Sequence, residues 1–357
     1  ERGRAEAAEA ERRKKEEEAA AAAAAERAAK EAATKAEQDK AAAATAEQDK
    51  LTEGGRVQVA VSASADERRR AEALGAARQS TAEFEAQHGK ERRAINKELT
   101  MHVTQISTTQ KQVVQKTRDI INMLSRLQGP AQTFALVALG KKLLSQCEVQ
   151  VSKMPEFAYP LAEMAVEIGG HFPAFMDYYV AQLNEACPVA VPKYYCYKKA
   201  FYASEKEFRR KLGWTEDEAE QGGPEAEDEF MARVKAYVVL YAATMQVDNP
   251  RNTDGPQRAW RWLAQALNTL NVNRLVATAL DGFLFAAGYK MHQVYGKQFV
   301  KVLRVIYEDF VPKLEQAKGQ QTAGPTLVRI RKYMEEKQYM NPGNGRVMPQ
   351  WDDTENL

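Results

Sequence analysis

The chain has 357 residues, a formal net charge of +2 and 44% hydrophobic residues. So small a net charge gives no global field that favours nucleic acid, and any anion site must come from a local cluster. No uninterrupted apolar run reaches the roughly 18 residues that a membrane span requires, and the opening Glu-Arg-Gly-Arg is not a signal peptide. Three cysteines without a CxxC pair argue against a disulfide framework and favour a reducing compartment. The missing initiator Met indicates a piece of a longer protein.

The first part of the chain is rich in charge and alanine. Residues 1–50 consist almost entirely of Ala, Glu, Lys, Arg, Gln and Asp. These helix formers predict a solvated helix or a weak coiled coil, because the heptad positions carry Ala instead of Leu. Two glycines interrupt the pattern at 54–55, and residues 56–64 are interpreted as a linker. We therefore predict a charged, Ala-rich helical arm and linker over residues 1–64, and a charged helix over residues 65–98 that leads into the domain.

From Met101 onward, apolar residues recur at helical spacing, beginning with Ile106 and Val113. The segments are short and end at Gly and Pro, and no convincing strand interrupts them. This pattern favours antiparallel helices stacked side by side. We predict an all-α fold, namely an irregular HEAT-like stack of antiparallel helices over residues 99–340, preceded by the long charged helix or coiled-coil arm. A flexible Pro/Gly-rich tail is expected over residues 341–357.

Motifs of catalytic and metal sites are missing from the sequence. The four histidines are scattered and have neither HExxH nor CxxC…HxxxH spacing. GxSxG, GxxxxGK[ST] and GxGxxG do not occur. Cys147 lies on an apolar helical stripe, which favours a core thiol over a nucleophile. We expect no catalytic residue and no metal site.

Local basic clusters are the best candidates for a binding site. If they converge in space, they form a pocket for a dense polyanion, because Lys and Arg make charge-assisted hydrogen bonds to phosphate. The simpler alternative is that each cluster is ordinary solvated surface. Residues 189–203, in which Lys alternates with Tyr, leave RNA binding as another alternative, although no RNA-binding signature is present. The candidate residues are Arg92, Arg93, Lys97, Lys141, Lys142, Lys193, Lys198 and Lys199.

Seven segments in order along the chain carry a family resemblance: RRAIN (92–96), QCEVQV (146–151), YPLAEMAVEIGGHFPAF (159–175), ACPVAVP (186–192), KLGW (211–214), AWRWLAQALN (259–268) and YGKQF (295–299). No segment is a strong motif alone, but their order and spacing are specific. With them, residues from about Gln87 to Lys318 resemble the C-terminal domain of the Gle-one (GLFG-lethal) family of mRNA export mediators. The charged helical segment ahead is similar to the coiled region that precedes this domain in the family.

The resemblance implies a HEAT-like domain similar to the translation initiation factors that clamp DEAD-box ATPases. It implies that the chain is no enzyme but binds the DEAD-box RNA helicase of mRNA export and activates its ATPase, with inositol hexakisphosphate as the bridging cofactor. A small FG nucleoporin is expected on the C-terminal half, at the apolar helices after Trp260. The implied location is the cytoplasmic face of the nuclear pore complex and the cytoplasm, without direct nucleic-acid or membrane contact. The alternative is a structural coiled-coil or helical-repeat adaptor without an ATPase partner.

The resemblance also implies where the phosphate pocket lies, namely at Arg92, Arg93 and Lys141. One turn after the lysine, the family pattern has an arginine, but this chain has Ser145, with Lys142 as the nearby substitute. The family's basic residues before the Cys-Pro step are replaced here by Gln182, Glu185 and Ala186. We hypothesise that residues 189–203, here called the basic connector, supply the missing charge through Lys193, Lys198 or Lys199.

Overall fold

The computed structural model describes residues 55–217, 223–317 and 324–350. The chain divides into two compact units, Glu1–Gly54 and Gly55–Leu357. The helical arm predicted for residues 1–54 lies outside the described residues, as do the last seven residues of the predicted tail. The fold below is that of the second unit.

The second unit is helical, as the sequence predicts. Its helices are α1 (Val61–Gln87), α2 (Gly89–Thr104), α3 (Gln110–Arg126), α4 (Gly129–Gln146), α5 (Ala158–His171), α6 (Ala174–Ala186), α7 (Glu205–Lys211), α8 (Glu227–Gln246), α9 (Pro256–Thr269), α10 (Arg274–Tyr295), α11 (Lys297–Val305), α12 (Val311–Gln316) and α13 (Gly324–Glu335). The helical path also contains the π-helical turns Cys147–Val151 and Ile306–Phe310, and the 3-10 turns Pro155–Phe157, Pro188–Ala190 and Gln338–Met340. None of the helices in these ranges is long and apolar enough to cross a membrane.

The charged segment predicted as one helix over residues 65–98 is two helices, and the first belongs to the packed domain. Helix α1 ends at Gln87, α2 begins at Gly89, and His88 caps both. The inner face of α1 packs against α4 and α6. Its buried residues are Ala63, Arg70, Leu74, Ala77, Thr81 and Phe84. The domain therefore begins well before residue 99. The sequence pattern did not show this because only two of the six buried side chains are large and apolar.

Residues 56–64, interpreted as a linker, contain a strand and the start of α1. Strand β1 (Val57–Val59) pairs antiparallel with β2 (Lys193–Tyr195), with Val59 opposite Lys193. Val57 and Val59 are 4% and 2% exposed, so this strand is part of the core. A second two-residue pair joins β3 (Glu216–Asp217) to β4 (Gly223–Pro224). The expectation that the domain contains no strand is therefore wrong, although the strands are short.

Close approaches between helices depend on two glycines. A Cβ on Gly140 of α4 would lie 3.4 Å from the Cα of Tyr179 on α6. A Cβ on Gly282 of α10 would lie 3.2 Å from the carbonyl oxygen of Lys235 on α8. The missing side chains let these helix backbones approach, and α8 and α10 form the most extensive helix contact of the domain. The core is continuous from the end of α1 to α13.

The first part of the predicted flexible tail is packed. The backbone N–H of Gln110 donates to the carbonyl oxygen of Pro349 at 2.9 Å. Met348 packs against the hydrophobic core, and the guanidinium of Arg346 lies 5.3 Å from the ring centroid of Tyr289. Residues 341–350 therefore lie against the domain, which a Pro/Gly-rich composition did not predict.

Candidate functional site

An aromatic cluster joins α1, α2 and α4. The ring of Phe84, in the last turn of α1, stacks on His88 with centroids 5.1 Å apart. The same ring lies 5.5 Å from the ring of Phe134 in the first turns of α4. Helix α2 starts directly after His88 and packs along α4, burying Ile95 and Leu99. The two helices that carry the first predicted basic clusters are thus neighbours.

Five of the predicted site residues lie on these two packed helices. Arg92, Arg93 and Lys97 belong to α2, and Lys141 and Lys142 belong to α4. Arg92 and Lys142 are half-buried, and the other three are exposed. Within the described ranges, no carboxylate lies within 4.0 Å of any of them. We call these five residues the cationic cluster.

Two lysines of the cationic cluster stand next to each other. Burial, together with the charge of the adjacent Lys141, lowers the pKa of Lys142 below its ordinary value. Like charges without a counter-ion raise the free energy of the free protein, and a bound anion would lower it. An anion bound beside Lys141 and Lys142 would therefore reduce this repulsion.

Helix α6 contributes one acidic and two neutral residues, Glu185, Gln182 and Ala186, where the family resemblance would place bases. The side-chain amide of Gln182 donates to the carbonyl oxygen of Val137 at 3.1 Å, which ties α6 to α4. The carboxylate of Glu185 accepts two hydrogen bonds of 2.8 Å from the guanidinium of Arg78 on α1. Arg78 thus neutralises the negative charge that Glu185 would otherwise place on this face. Its role was not visible in the sequence, because α1 has the composition of a solvated charged helix.

The basic connector is at a different place. Lys193 donates to both carboxylate oxygens of Glu67 at 3.0 Å, so it is a paired structural residue and not a free cation. Glu67 lies in the first turns of α1, about 26 Å along the helix axis from Phe84 at 1.5 Å per residue. Lys198 and Lys199 follow β2, and the ammonium of Lys198 lies 5.1 Å from the ring centroid of Phe201. Lys193 is therefore paired with Glu67, and the hypothesis that Lys193, Lys198 or Lys199 supplies the missing charge stays a prediction.

Two of the three thiols are core groups, and Cys196 is half-buried. Cys147 is 0% exposed and Cys187 is 1% exposed. Burial raises the pKa of Cys147 well above its ordinary value and that of Cys187 to about 12. Such thiols are protonated at neutral pH and unreactive as nucleophiles. In the described parts of the chain, no group of three or more His, Cys, Asp and Glu residues is placed to hold a metal ion.

The fold and the site together define a class of protein: a stacked-helix scaffold whose basic side chains on two packed helices have no carboxylate partner among the described residues. A family model described as GLE1-like protein matches residues 72–307. The match covers more than half of the chain, and the chain belongs to this family.

Curated relatives are named mRNA export factor GLE1. The protein of Arabidopsis thaliana is 29% identical over 259 residues, which cover 71% of this chain and 37% of that protein. The Mus musculus protein is 29% identical over 279 residues, covering 71% and 38%. The Danio rerio protein is 31% identical over 186 residues, covering 50% and 26%. The chain therefore spans less than two fifths of the length of these relatives.

Two solved structures share the fold. One is a variant of S. cerevisiae Gle1 bound to IP6 and to the C-terminal domain of a Dbp5 variant. It matches with a TM-score of 0.67 and 19% sequence identity, and the match covers 80% of this chain and 98% of that chain. The other contains Gle1 with the same two partners and has a TM-score of 0.65 and 18% identity, over 82% and 98%. Identity this low establishes a common helical architecture.

Proposed function

We propose that this chain is a nuclear-pore-associated mRNA export factor that binds a DEAD-box RNA helicase and stimulates its ATPase, with inositol hexakisphosphate as the bridging cofactor. Its place of action is the cytoplasmic face of the nuclear pore complex. The observation that carries the proposal is the cationic cluster on α2 and α4, which has no carboxylate partner among the described residues of a chain of this family. The names of relatives and the partners in the solved Gle1 structures support it.

Phosphate groups fit the cationic cluster chemically. Arg92 and Arg93 offer planar, bidentate donors, and Lys141 and Lys142 offer compact point charges, which together suit several phosphates on one small ring. A hexakisphosphate retains charge after it has neutralised one protein surface. It therefore attracts a second basic surface that would otherwise be repelled by the first.

The mechanism that follows is scaffolding. A DEAD-box ATPase passes through closed and open arrangements of its two lobes. A rigid helical stack that binds the open arrangement more tightly shifts the population toward it and speeds product release. The chain itself acts as an activator, and the ATP chemistry belongs to the helicase.

Calorimetry with inositol hexakisphosphate tests the cofactor site. The double variant Arg93→Glu plus Lys141→Glu should lose most of the binding heat, and binding by the unaltered chain should weaken as salt is raised. The matched control is Lys199→Glu plus Lys211→Glu, which makes the same change in net charge at exposed positions outside the cluster. Unchanged affinity in the first variant would refute the proposed site, and a selective loss in the second would place it at the connector.

An ATPase assay tests the activator role. Adding the chain to its DEAD-box helicase with inositol hexakisphosphate should raise the rate of ATP hydrolysis, and the cluster variant should not. Without a helicase, the chain should hydrolyse no ATP. No stimulation at saturating chain and cofactor would favour the alternative, an adaptor without an ATPase partner. Retention on single-stranded RNA that weakens steeply with salt would contradict the expected lack of direct nucleic-acid contact.

A small FG nucleoporin is the partner we propose for the C-terminal half. Helices α10, α11 and α13 and the turn after α11 expose Val294, Val305, Tyr307 and Val328, which are 49%, 51%, 39% and 64% exposed. The Phe rings of an FG segment would bury apolar surface against these side chains, which favours binding. In an anisotropy assay with a labelled FG-repeat peptide, Val305→Ser plus Val328→Ser should weaken binding. The control Val149→Ser changes a valine of similar exposure in the N-terminal half and should leave peptide binding unchanged. An equal loss of affinity in the control would reject this surface.

A further inference from the structure

A second candidate binding site lies apart from the cationic cluster. Helices α3 and α5, the end of α8 and the packed tail surround a concavity of about 700 Å³. Its apolar walls are Val113, Val114, Ile121 and Val247. None of the five residues of the cationic cluster lines it, so its ligand is a different one.

Two buried polar side chains in the wall each carry an oxygen without a hydrogen-bond partner among the described residues. Thr117 is 4% exposed and Gln246 is 3% exposed, and both line the concavity. The unpartnered atoms in this part of the chain are the hydroxyl oxygen of Thr117 and the side-chain oxygen Oε1 of Gln246. Buried polar atoms are paired in most native proteins, because an unpaired one loses its hydration without compensation. Both atoms can accept a hydrogen bond from a ligand.

The carboxylates in the wall differ in how well they are paired. Glu167 accepts hydrogen bonds from Arg251 at 2.9 Å and from Asn249 at 2.8 Å. Asp248 is paired with Lys290. Among the described residues, Glu163 accepts one long hydrogen bond of 3.4 Å, from the side-chain amide of Gln110, and burial raises its pKa. The carboxylate of Glu163 can therefore accept further hydrogen bonds.

The two arginines of the wall, Arg346 and Arg118, do not pair with the carboxylate of Glu163. Arg346 lies 4.0 Å from Asp248, and its guanidinium is directed over the ring of Tyr289. Arg118 is exposed on α3. Neither makes an ion pair with Glu163 within 4.0 Å in the described part of the chain. The charge of Arg346 acts on Glu163 and lowers its pKa against the effect of burial, but Arg346 does not contact the carboxylate.

We propose that this concavity binds an arginine side chain of a partner polypeptide. A guanidinium presents five N–H donors in a rigid fork, which matches three acceptors on Glu163, Thr117 and Gln246 better than a compact ammonium does. The aliphatic stem of arginine suits the valine walls. This contact adds a protein-recognition site to the proposed polyphosphate site and does not depend on it.

Fluorescence anisotropy with the whole chain tests the proposal. The probe is a fluorescein-labelled peptide, Gly-Val-Arg-Val-Gly, and its partner replaces arginine by citrulline, a neutral side chain of the same shape. The arginine peptide should bind about tenfold more tightly, since charge-assisted hydrogen bonds are the stronger ones. Glu163→Gln should reduce its affinity to that of the citrulline peptide. Glu72→Gln, at an exposed position of α1, is the matched control and should change nothing.

A second variant tests the site without altering a buried residue. Val114 lies at the rim and is 44% exposed, so Val114→Lys preserves the core and places a tethered cation beside Glu163. It should weaken the arginine peptide about tenfold by competition. The proposal would be overturned if the two peptides bound with equal affinity or if neither showed saturable binding. It would also be overturned if both variants bound the arginine peptide as tightly as the unaltered chain does. Because Glu163→Gln should leave the inositol hexakisphosphate affinity unchanged, the two proposed sites can fail separately.

Discussion

Arg70 lies inside the domain with 4% of its side chain exposed, and its charge is balanced by buried carboxylates. It donates to Asp254 at 2.6 Å and to Asp66 at 3.0 Å, and a third donor reaches the carbonyl oxygen of Met176 at 3.3 Å. Asp254 is only 2% exposed, and Arg258 donates to it at 3.3 Å. This network joins α1 to α6 and α9, so the first helix is fixed in place by charges as well as by apolar contacts.

The first prediction concerns this buried pair. Arg70→Met keeps the length of the side chain but leaves Asp254 with one partner fewer in the interior. The free energy of unfolding should fall by about 3 kcal/mol, which is typical when one member of a buried ion pair is removed. Arg69→Met breaks a pair with Asp177 in which Arg69 is 54% exposed, and should cost about 1 kcal/mol or less. Urea unfolding measures both, and equal losses would contradict the burial argument.

The second prediction concerns acid. Burial alone would raise the pKa of Asp66, but the nearby guanidinium groups of Arg70 and Arg258 outweigh it and hold the pKa below the ordinary 3.8. A lowered pKa stabilises the folded state at pH values above 3.8, and this contribution is lost as the pH falls through the folded-state pKa. Asp66→Asn should therefore lower the unfolding free energy at neutral pH, and the difference from the unaltered chain should shrink at about pH 3. If the difference in unfolding free energy between Asp66→Asn and the unaltered chain did not change with pH, a lowered pKa of Asp66 would be contradicted.

The residue scale also shows what a sequence can reveal about a site. The family resemblance implies Arg92, Arg93 and Lys141 as site residues, because their neighbours in sequence are recognisable. It does not reveal Arg78 and Arg70, because an arginine in a run of charged residues gives no sign of a partner 107 or 184 residues away. The packing of α1 against α6 makes the pair of Arg78 with Glu185, and the segment before α9 supplies Asp254 to Arg70.

At the scale of elements, Gly75 of α1 and Gly288 of α10 have opposite surroundings. A Cβ on Gly288 of α10 would overlap the hydroxyl of Tyr333 on α13. A Cβ on Gly75 of α1 would have nothing within 4 Å, so that side of the helix is open. The contact between α10 and α13 thus depends on a missing side chain, whereas the packing of α1 does not.

The third prediction uses this contrast. Gly75→Ala should raise the unfolding free energy by up to about 1 kcal/mol, because alanine favours a helix. Gly288→Ala should lower it by about 1–3 kcal/mol through overpacking, despite the same gain in helix propensity. Part of that loss should return in a Tyr333→Phe background, which removes the overlapping hydroxyl. Urea unfolding of the single and double variants measures the coupling, and a stabilising Gly288→Ala would contradict the close approach.

Helix periodicity predicted the elements where the apolar stripe is clear and missed them where alanine or charge takes its place. The stripes after Met101 gave the stacked helices correctly. On α1, buried Ala63, Ala77 and Thr81 look the same in sequence as exposed residues of a charged helix. Strand β1 was missed for another reason, since its partner β2 comes more than a hundred residues later and three residues are too short for a pattern.

At the scale of the whole molecule, a net charge of +2 hides an uneven distribution. The basic side chains that the sequence offers as candidates for one pocket differ in their pairing. Lys193 is neutralised by Glu67, whereas the cationic cluster has no such partner among the described residues. The sequence therefore showed the basic clusters but not which of them remain free, because pairing depends on contacts between distant helices.

The fourth prediction joins this distribution to stability. A ligand that binds only the folded state raises the unfolding free energy by an amount set by its concentration relative to Kd, about 2.7 kcal/mol at a hundredfold excess over Kd. Inositol hexakisphosphate should therefore shift the urea midpoint of the chain upward in low salt, and the shift should decrease as salt screens the cluster. Arg93→Glu plus Lys141→Glu should abolish the shift, while Lys199→Glu plus Lys211→Glu should retain it. Comparing each variant with and without ligand cancels any direct effect of the substitutions on stability. A shift that survives in the first variant would mean that the polyphosphate binds elsewhere on the domain.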